Sequence, residues 1–86
     1  MTGERPPHPA LMHLIETARA FAASCSDDGR SYRTGHYEGL AHGSRLLTRQ
    51  EFADAAVAAR SQSDLNYTYG FLRGLQHAFS VVLPRE

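Results

Sequence analysis

Five glycines sit where helices ordinarily exclude them, and their spacing constrains this chain more than anything else in it. Tyr32-Arg33-Thr34-Gly35-His36-Tyr37-Glu38-Gly39-Leu40-Ala41-His42-Gly43 is echoed by Tyr67-Thr68-Tyr69-Gly70-Phe71-Leu72-Arg73-Gly74-Leu75-Gln76-His77-Ala78. Tyr32/Tyr67, Gly35/Gly70, Gly39/Gly74, Leu40/Leu75 and His42/His77 are identical at an offset of 35 residues, and Gly43/Ala78 keeps a small residue. At about 100° per residue, Tyr32, Gly35, Gly39 and Gly43 share one narrow helical face, as do Tyr67, Gly70, Gly74 and Ala78. An interior glycine costs a helix about 1 kcal/mol relative to alanine. A helix carrying two or three must recover that through close approach to a neighbour. These eight residues are therefore the expected helix-packing set, with the Tyr32 and Tyr67 rings expected to lie over the glycines of the facing helix.

The rest of the pattern predicts an all-α protein, a compact bundle of three to four helices. Residues 1–8 read as a flexible lead-in, because Pro6, Pro7 and Pro9 each restrict the residue before them. Residues 9–86 form the helical domain. A first helix over about 9–25 carries the stripe Leu11, Leu14, Ile15, Ala18, Phe21, Ala22 and Cys25 at spacings of three and four, and Ser26-Asp27-Asp28-Gly29 reads as the turn that ends it. A second helix covers about 31–43, with Gly43 either inside it or closing it as a left-handed cap. Thr48-Arg49-Gln50-Glu51 is a capping box, with Leu47 and Phe52 at the staple positions around it. The third helix, about 48–61, presents Phe52, Ala55, Ala56 and Ala59. Ser61-Gln62-Ser63-Asp64 can cap a fourth helix over 64–83. No Gly or Pro interrupts residues 44–69, so a continuous third and fourth helix is an equal alternative. Val81-Val82-Leu83 is too short to carry a sheet.

Composition bears on partners. Leu, Ile, Val and Phe make up 17 of the 86 residues, a small core that favours self-association or docking on a partner. Nine arginines balance nine acids and lysine is absent, so no excess positive field favours nucleic acid or an anionic membrane. No apolar run approaches the roughly 18 residues of a membrane span. The polar N-terminus does not read as a secretory signal, and the one cysteine, Cys25, suits a reducing compartment. A cytoplasmic location is expected.

Candidate chemistry is incomplete. The repeated His42 and His77 pose a two-histidine site with Glu38 one turn away, against which stands a role bordering the packing face. No complete metal-ligand spacing accompanies them, so no metal and no cofactor is expected. His36 lies on the opposite border of its helix from His42, and His8 and His13 read as surface or tail residues. Cys25, at a helix C-terminus beside Asp27 and Asp28, is placed against thiolate formation. Tyr37, Tyr69, Arg33, Arg45 and Arg73, with His42 and His77, form the candidate partner or ligand contacts.

Leu47-Thr48-Arg49-Gln50-Glu51-Phe52-Ala53-Asp54-Ala55-Ala56 resembles the opening helix of phage-repressor-type helix-turn-helix DNA-binding domains. The resemblance implies a DNA-binding regulator using residues 47–74, with Val57 at the turn and Ser63 near the inward position. In size and make-up the chain also resembles the short proteins that phages and prophages encode to block host machinery, anti-CRISPR and other anti-defence inhibitors among them. The leading expectation is a small non-enzymatic interaction protein, a homodimer or small oligomer that acts on a protein partner. A DNA-binding regulator and a small-ligand or nucleotide sponge are its alternatives.

Overall fold

The computed structural model describes residues 6–25 and 29–83. Among them are four α-helices and no strand: α1 (Met12–Ser24), α2 (Gly29–Gly43), α3 (Arg49–Ala59) and α4 (Leu65–Val82), with a 3-10 turn at Pro9–Leu11 leading into α1. The all-α bundle expected from the periodicity is the fold.

The centre of the bundle is the pairing of α2 with α4. A methyl built on Gly35 would drive into the Tyr67 carbonyl, and one on Gly39 into the Phe71 carbonyl. One on Gly70 would strike the Tyr32 carbonyl, and one on Gly74 would lie 2.6 Å from the Leu40 nitrogen. Each obstacle is backbone, so it cannot swing aside as a side chain would. The positions met on α4 rise with those on α2, so the two helices run parallel. The contacts are also reciprocal at the offset of the repeat: Gly35 meets residue 67 as Gly70 meets residue 32, and Gly39 meets residue 71 as Gly74 meets residue 36. The two copies thus pack about a pseudo-twofold axis. Carbonyls brought this close to glycine Cα atoms suit the weak Cα–H···O contacts recurrent at helix–helix interfaces. At the far end the constraint relaxes: a methyl on Gly43 would lie 2.7 Å from the Ala78 Cβ and 3.2 Å from Phe52 Cε1. That junction has room for one methyl, which Ala78 supplies.

Two parallel helices need a return connection, and α3 provides it. Thr48 caps α3 through its hydroxyl, which accepts from the Glu51 N–H at 3.1 Å, while Glu51 Oε1 accepts from the Leu47 N–H at 2.7 Å. The capping half of the expected motif forms, but the staple does not close: Phe52 is buried and Leu47 is 59% exposed. α3 and α4 are separate helices, which removes the continuous alternative. Asp64 caps α4 by accepting from the Tyr67 N–H, and the buried Thr68 hydroxyl lies within hydrogen-bonding distance of the Asp64 and Ala59 carbonyls. The side chains at 64 and 68 thus satisfy backbone groups that a continuous helix would have paired internally.

Other boundaries also shift. Gly29 is the first residue of α2 rather than part of the turn, and Ser26–Asp28 lie outside the described residues. Gly43 stays within α2, with no left-handed backbone, so it acts as a packing residue and not as a cap. Residues 1–5 of the expected lead-in lie outside the described residues. His8 is fixed at both ends: its N–H donates to the Ser44 carbonyl at 2.9 Å, and its Nδ1 accepts from the Ala10 N–H at 3.1 Å. It caps the turn that delivers Leu11, fully buried, to the core formed with Leu40, Phe52, Ala55, Leu75 and Ala78.

Gly35→Ala and Gly70→Ala should each lower unfolding free energy by about 3 kcal/mol or more, the upper end of overpacking costs, because backbone must move. Gly43→Ala, facing side chains, should cost less than half as much. Urea denaturation followed by circular dichroism checks both; equal losses at the three positions would contradict the backbone contact.

Candidate functional site

The pseudo-twofold axis sorts the candidate residues onto two flanks. On one flank lie Glu38, His42, Tyr67 and Phe71. The Tyr67 hydroxyl donates to Glu38 Oε1 in a short hydrogen bond. The Tyr67 and Phe71 rings stack at 6.0 Å, and His42 tilts against Phe71 at 5.9 Å. Burial first, and then the Glu38 carboxylate, push the Tyr67 phenol up to about 12. This flank borders a pocket of about 200 Å³ reaching α3 at Ala55 and Ala59.

The other flank holds the residues related to these by the repeat, Arg73, His77, Tyr32 and His36. Two differences invert its chemistry: Arg73 stands where the axis would place Glu38, and His36 where it would place Phe71. His36, Arg73, Gln76, His77 and Ser80 line an open groove of about 380 Å³. His36 and His77 also line a second, smaller and half-open pocket of about 180 Å³, together with Leu14, Thr17, Ala18 and Phe21 of α1 and Arg33 and Leu40 of α2. Arg33 lies over the Phe21 ring, 4.0 Å from its centre. Burial lowers the His36 imidazole, and the positive charges of His77, Arg33 and Arg73 lower it further.

The expected packing residues come together at the α2–α4 contact, with one correction. The Tyr32 and Tyr67 carbonyls, not their rings, face the opposing glycines, and the Tyr32 ring is 38% exposed. The paired histidines do not meet. His42 and His77 lie on opposite flanks, His42 with Phe71 and His77 with His36. Among the described residues no group of three or more His, Cys, Asp or Glu is placed to hold a metal ion. Of the remaining candidate contacts, Arg33, Arg73 and His77 border the basic flank. Tyr37 is half-buried, Arg45 Nη1 donates to the Ala41 carbonyl at 3.3 Å, and Tyr69 is exposed on the outer side of α4. Cys25 is half-buried as the residue ending α1. Gln76 and Ser80 carry no sequence signal as site residues, and Phe21 is legible only as part of the α1 apolar stripe. The offset that relates His36 to Phe71 was the available signal that the flanks differ.

A third feature lies away from the axis. Phe52 and Ala56 of α3 and Leu72, Leu75 and Phe79 of α4 line an apolar groove of about 380 Å³. Phe52 and Phe79 meet edge-on at 5.1 Å, and the Arg49 guanidinium sits 5.6 Å above Phe79. Among the described residues no helix is long and apolar enough to cross a membrane. The chain matches no protein-family model, no curated protein and no solved structure.

Tyr67 should keep its proton through the ordinary tyrosine value of 10 and release it near about 12. Because its folded value is raised, the stability it contributes is complete below pH 10 and is lost as pH rises through about 12. A difference titration of the parent chain against Tyr67→Phe at the phenolate absorption band isolates this group. A step centred at the ordinary value would contradict the Tyr67–Glu38 pairing.

Proposed function

We propose that this chain is a small non-enzymatic interaction protein, which self-associates through the outer face of α4 and works by occupying the surface of a protein partner. One observation carries the reading: α4 is apolar on two opposite faces and the bundle fully covers one of them. Gly70, Gly74 and Ala78 lie against α2 and are buried. At about 100° per residue, Leu65, Tyr69, Leu72 and Phe79 fall on the opposite side of the helix. There Leu65 is 63% and Tyr69 60% exposed, and Leu72 and Phe79 border the apolar groove with α3. Polar side chains of α4 (Asn66, Arg73, Gln76, His77 and Ser80) are exposed between or beside these two faces, so the helix has a second apolar stripe to cover rather than a single one. In a chain whose buried hydrophobic side chains are so few, a second copy laid along this stripe supplies that cover.

The regulator reading draws less support. α4, which would serve as the recognition helix, spends one face on α2 and offers the solvent an apolar stripe with Arg73 as its one arginine. Action as a phage- or prophage-type inhibitor fits the proposal through size and make-up, with host machinery supplying the partner.

Leu65→Glu combined with Tyr69→Glu should turn a dimer into a monomer with unchanged helicity, since both side chains are exposed in the isolated bundle. Sedimentation equilibrium from micromolar to millimolar chain reads this outcome. A parent chain that stays monomeric throughout that range would overturn the self-association.

A further inference from the structure

The geometry points to a small-molecule site on the basic flank of the α2–α4 pair, built for a single-ring aromatic compound carrying a phosphate monoester. The site has two adjoining compartments that share His36 and His77 as a common wall. The outer compartment presents the Arg73 guanidinium, the two imidazoles and the Gln76 amide, all able to donate to an anion. The Ser80 hydroxyl already donates to the His77 carbonyl at 2.7 Å, so it borders the groove without adding a donor. The inner compartment, about 180 Å³, is walled by Leu14, Ala18, Phe21 and Leu40, with Arg33 at its edge. Engineered apolar cavities of about 150 Å³ accept benzene, so a single aromatic ring fits this volume.

Charge supports the assignment. The titratable groups facing His36 are Arg33 on its own helix and Arg73 and His77 on α4. α1 turns only Leu14, Thr17, Ala18 and Phe21 toward the pocket. Among the described residues no carboxylate faces this group and no ion pair engages Arg33 or Arg73. Like charges gathered with no acid between them repel one another until an anion binds. Burial, and then the charges of His77, Arg33 and Arg73, lower the basicity of His36. Arg73 can meet two phosphate oxygens at once, which a point charge cannot. The opposite flank offers a built-in comparison. There Glu38 replaces Arg73 and is already engaged by the Tyr67 hydroxyl.

Phenyl phosphate is the direct probe, titrated into the isotopically labelled full chain in a phosphate-free buffer and followed by amide and imidazole shifts. It should saturate one site, move signals of Ala18, His36, Arg73 and His77, and bind about tenfold or more tighter than either inorganic phosphate or phenol. Arg73→Gln and His77→Gln alter exposed side chains and should retain the fold, while each weakens binding about tenfold or more, as loss of a charge-assisted hydrogen bond does. Leu65→Glu with Tyr69→Glu should leave binding unchanged, which separates this site from the self-association surface. Absence of saturable binding, or equal binding by both glutamine variants and the parent chain, would overturn the site. Phosphate binding as tightly as phenyl phosphate would overturn the role of the inner compartment.

Discussion

Contact between the backbones of α2 and α4 is the constraint on which the remaining structure depends. Dispersion and weak Cα–H···O interactions between two main chains are small individually, and a gap of about 0.5–1 Å already forfeits a quarter to a half of the dispersion term. Four glycines make the approach possible, and the atoms that a methyl on any of them would meet first are main chain of the opposing helix. Once α2 and α4 lie parallel at that distance, α3 must run back between their ends. The Pro9–Leu11 turn and α1 are left to cover the remaining apolar side through Leu11 and Ala22. The Asp64 and Thr48 caps then close the chain reversals at either end of α3.

The same contact explains why a repeated sequence produces unlike surfaces. Pseudo-twofold packing places corresponding residues of the two copies on opposite flanks, so His42 and His77 cannot share a ligand. What differs between the copies is thereby displayed on separate faces. Glu38 accepts a hydrogen bond from the Tyr67 phenol, whereas the Arg73 side chain lines a groove with His36 and His77 and has no such partner among the described residues. The repeat builds the scaffold, and departures from the repeat give each flank its chemistry. The outer stripe of α4 belongs to neither flank: Leu65 and Tyr69 are exposed on it, while Leu72 and Phe79 are half-buried beside α3.

The scaffold was legible because small residues at a spacing of four have few physical uses in a soluble helix. Thr48 and Asp64 were legible for a similar reason, their side chains being short enough to reach the backbone of their own helix. What escaped depended on tertiary geometry. Ser61-Gln62-Ser63-Asp64 left a break and a continuous helix as equal alternatives; the Thr68 hydroxyl set against the Ala59 carbonyl at the end of α3 is a contact that local pattern does not encode. Leu47 stands at a staple position but faces solvent, since Phe52 is drawn into the core with Leu40 and Leu75. Over the glycines, where the pattern suggested the Tyr32 and Tyr67 rings, the carbonyls of those residues are the nearest atoms. The basic groove needed the direction of the helix pair, and only parallel packing brings His36 beside His77.

Nuclear Overhauser contacts between glycine α-protons and the facing helix test the central claim most directly. Close backbone packing predicts strong cross-peaks from Gly35 to Tyr67 and Phe71 backbone protons, from Gly70 to Tyr32 and His36, and from Gly74 to His36 and Leu40. Their reciprocal pattern would establish both the parallel direction and the pseudo-twofold axis. A folded, helical chain in which these cross-peaks are missing, with Gly39 and Gly74 facing solvent or side chains, would contradict the account.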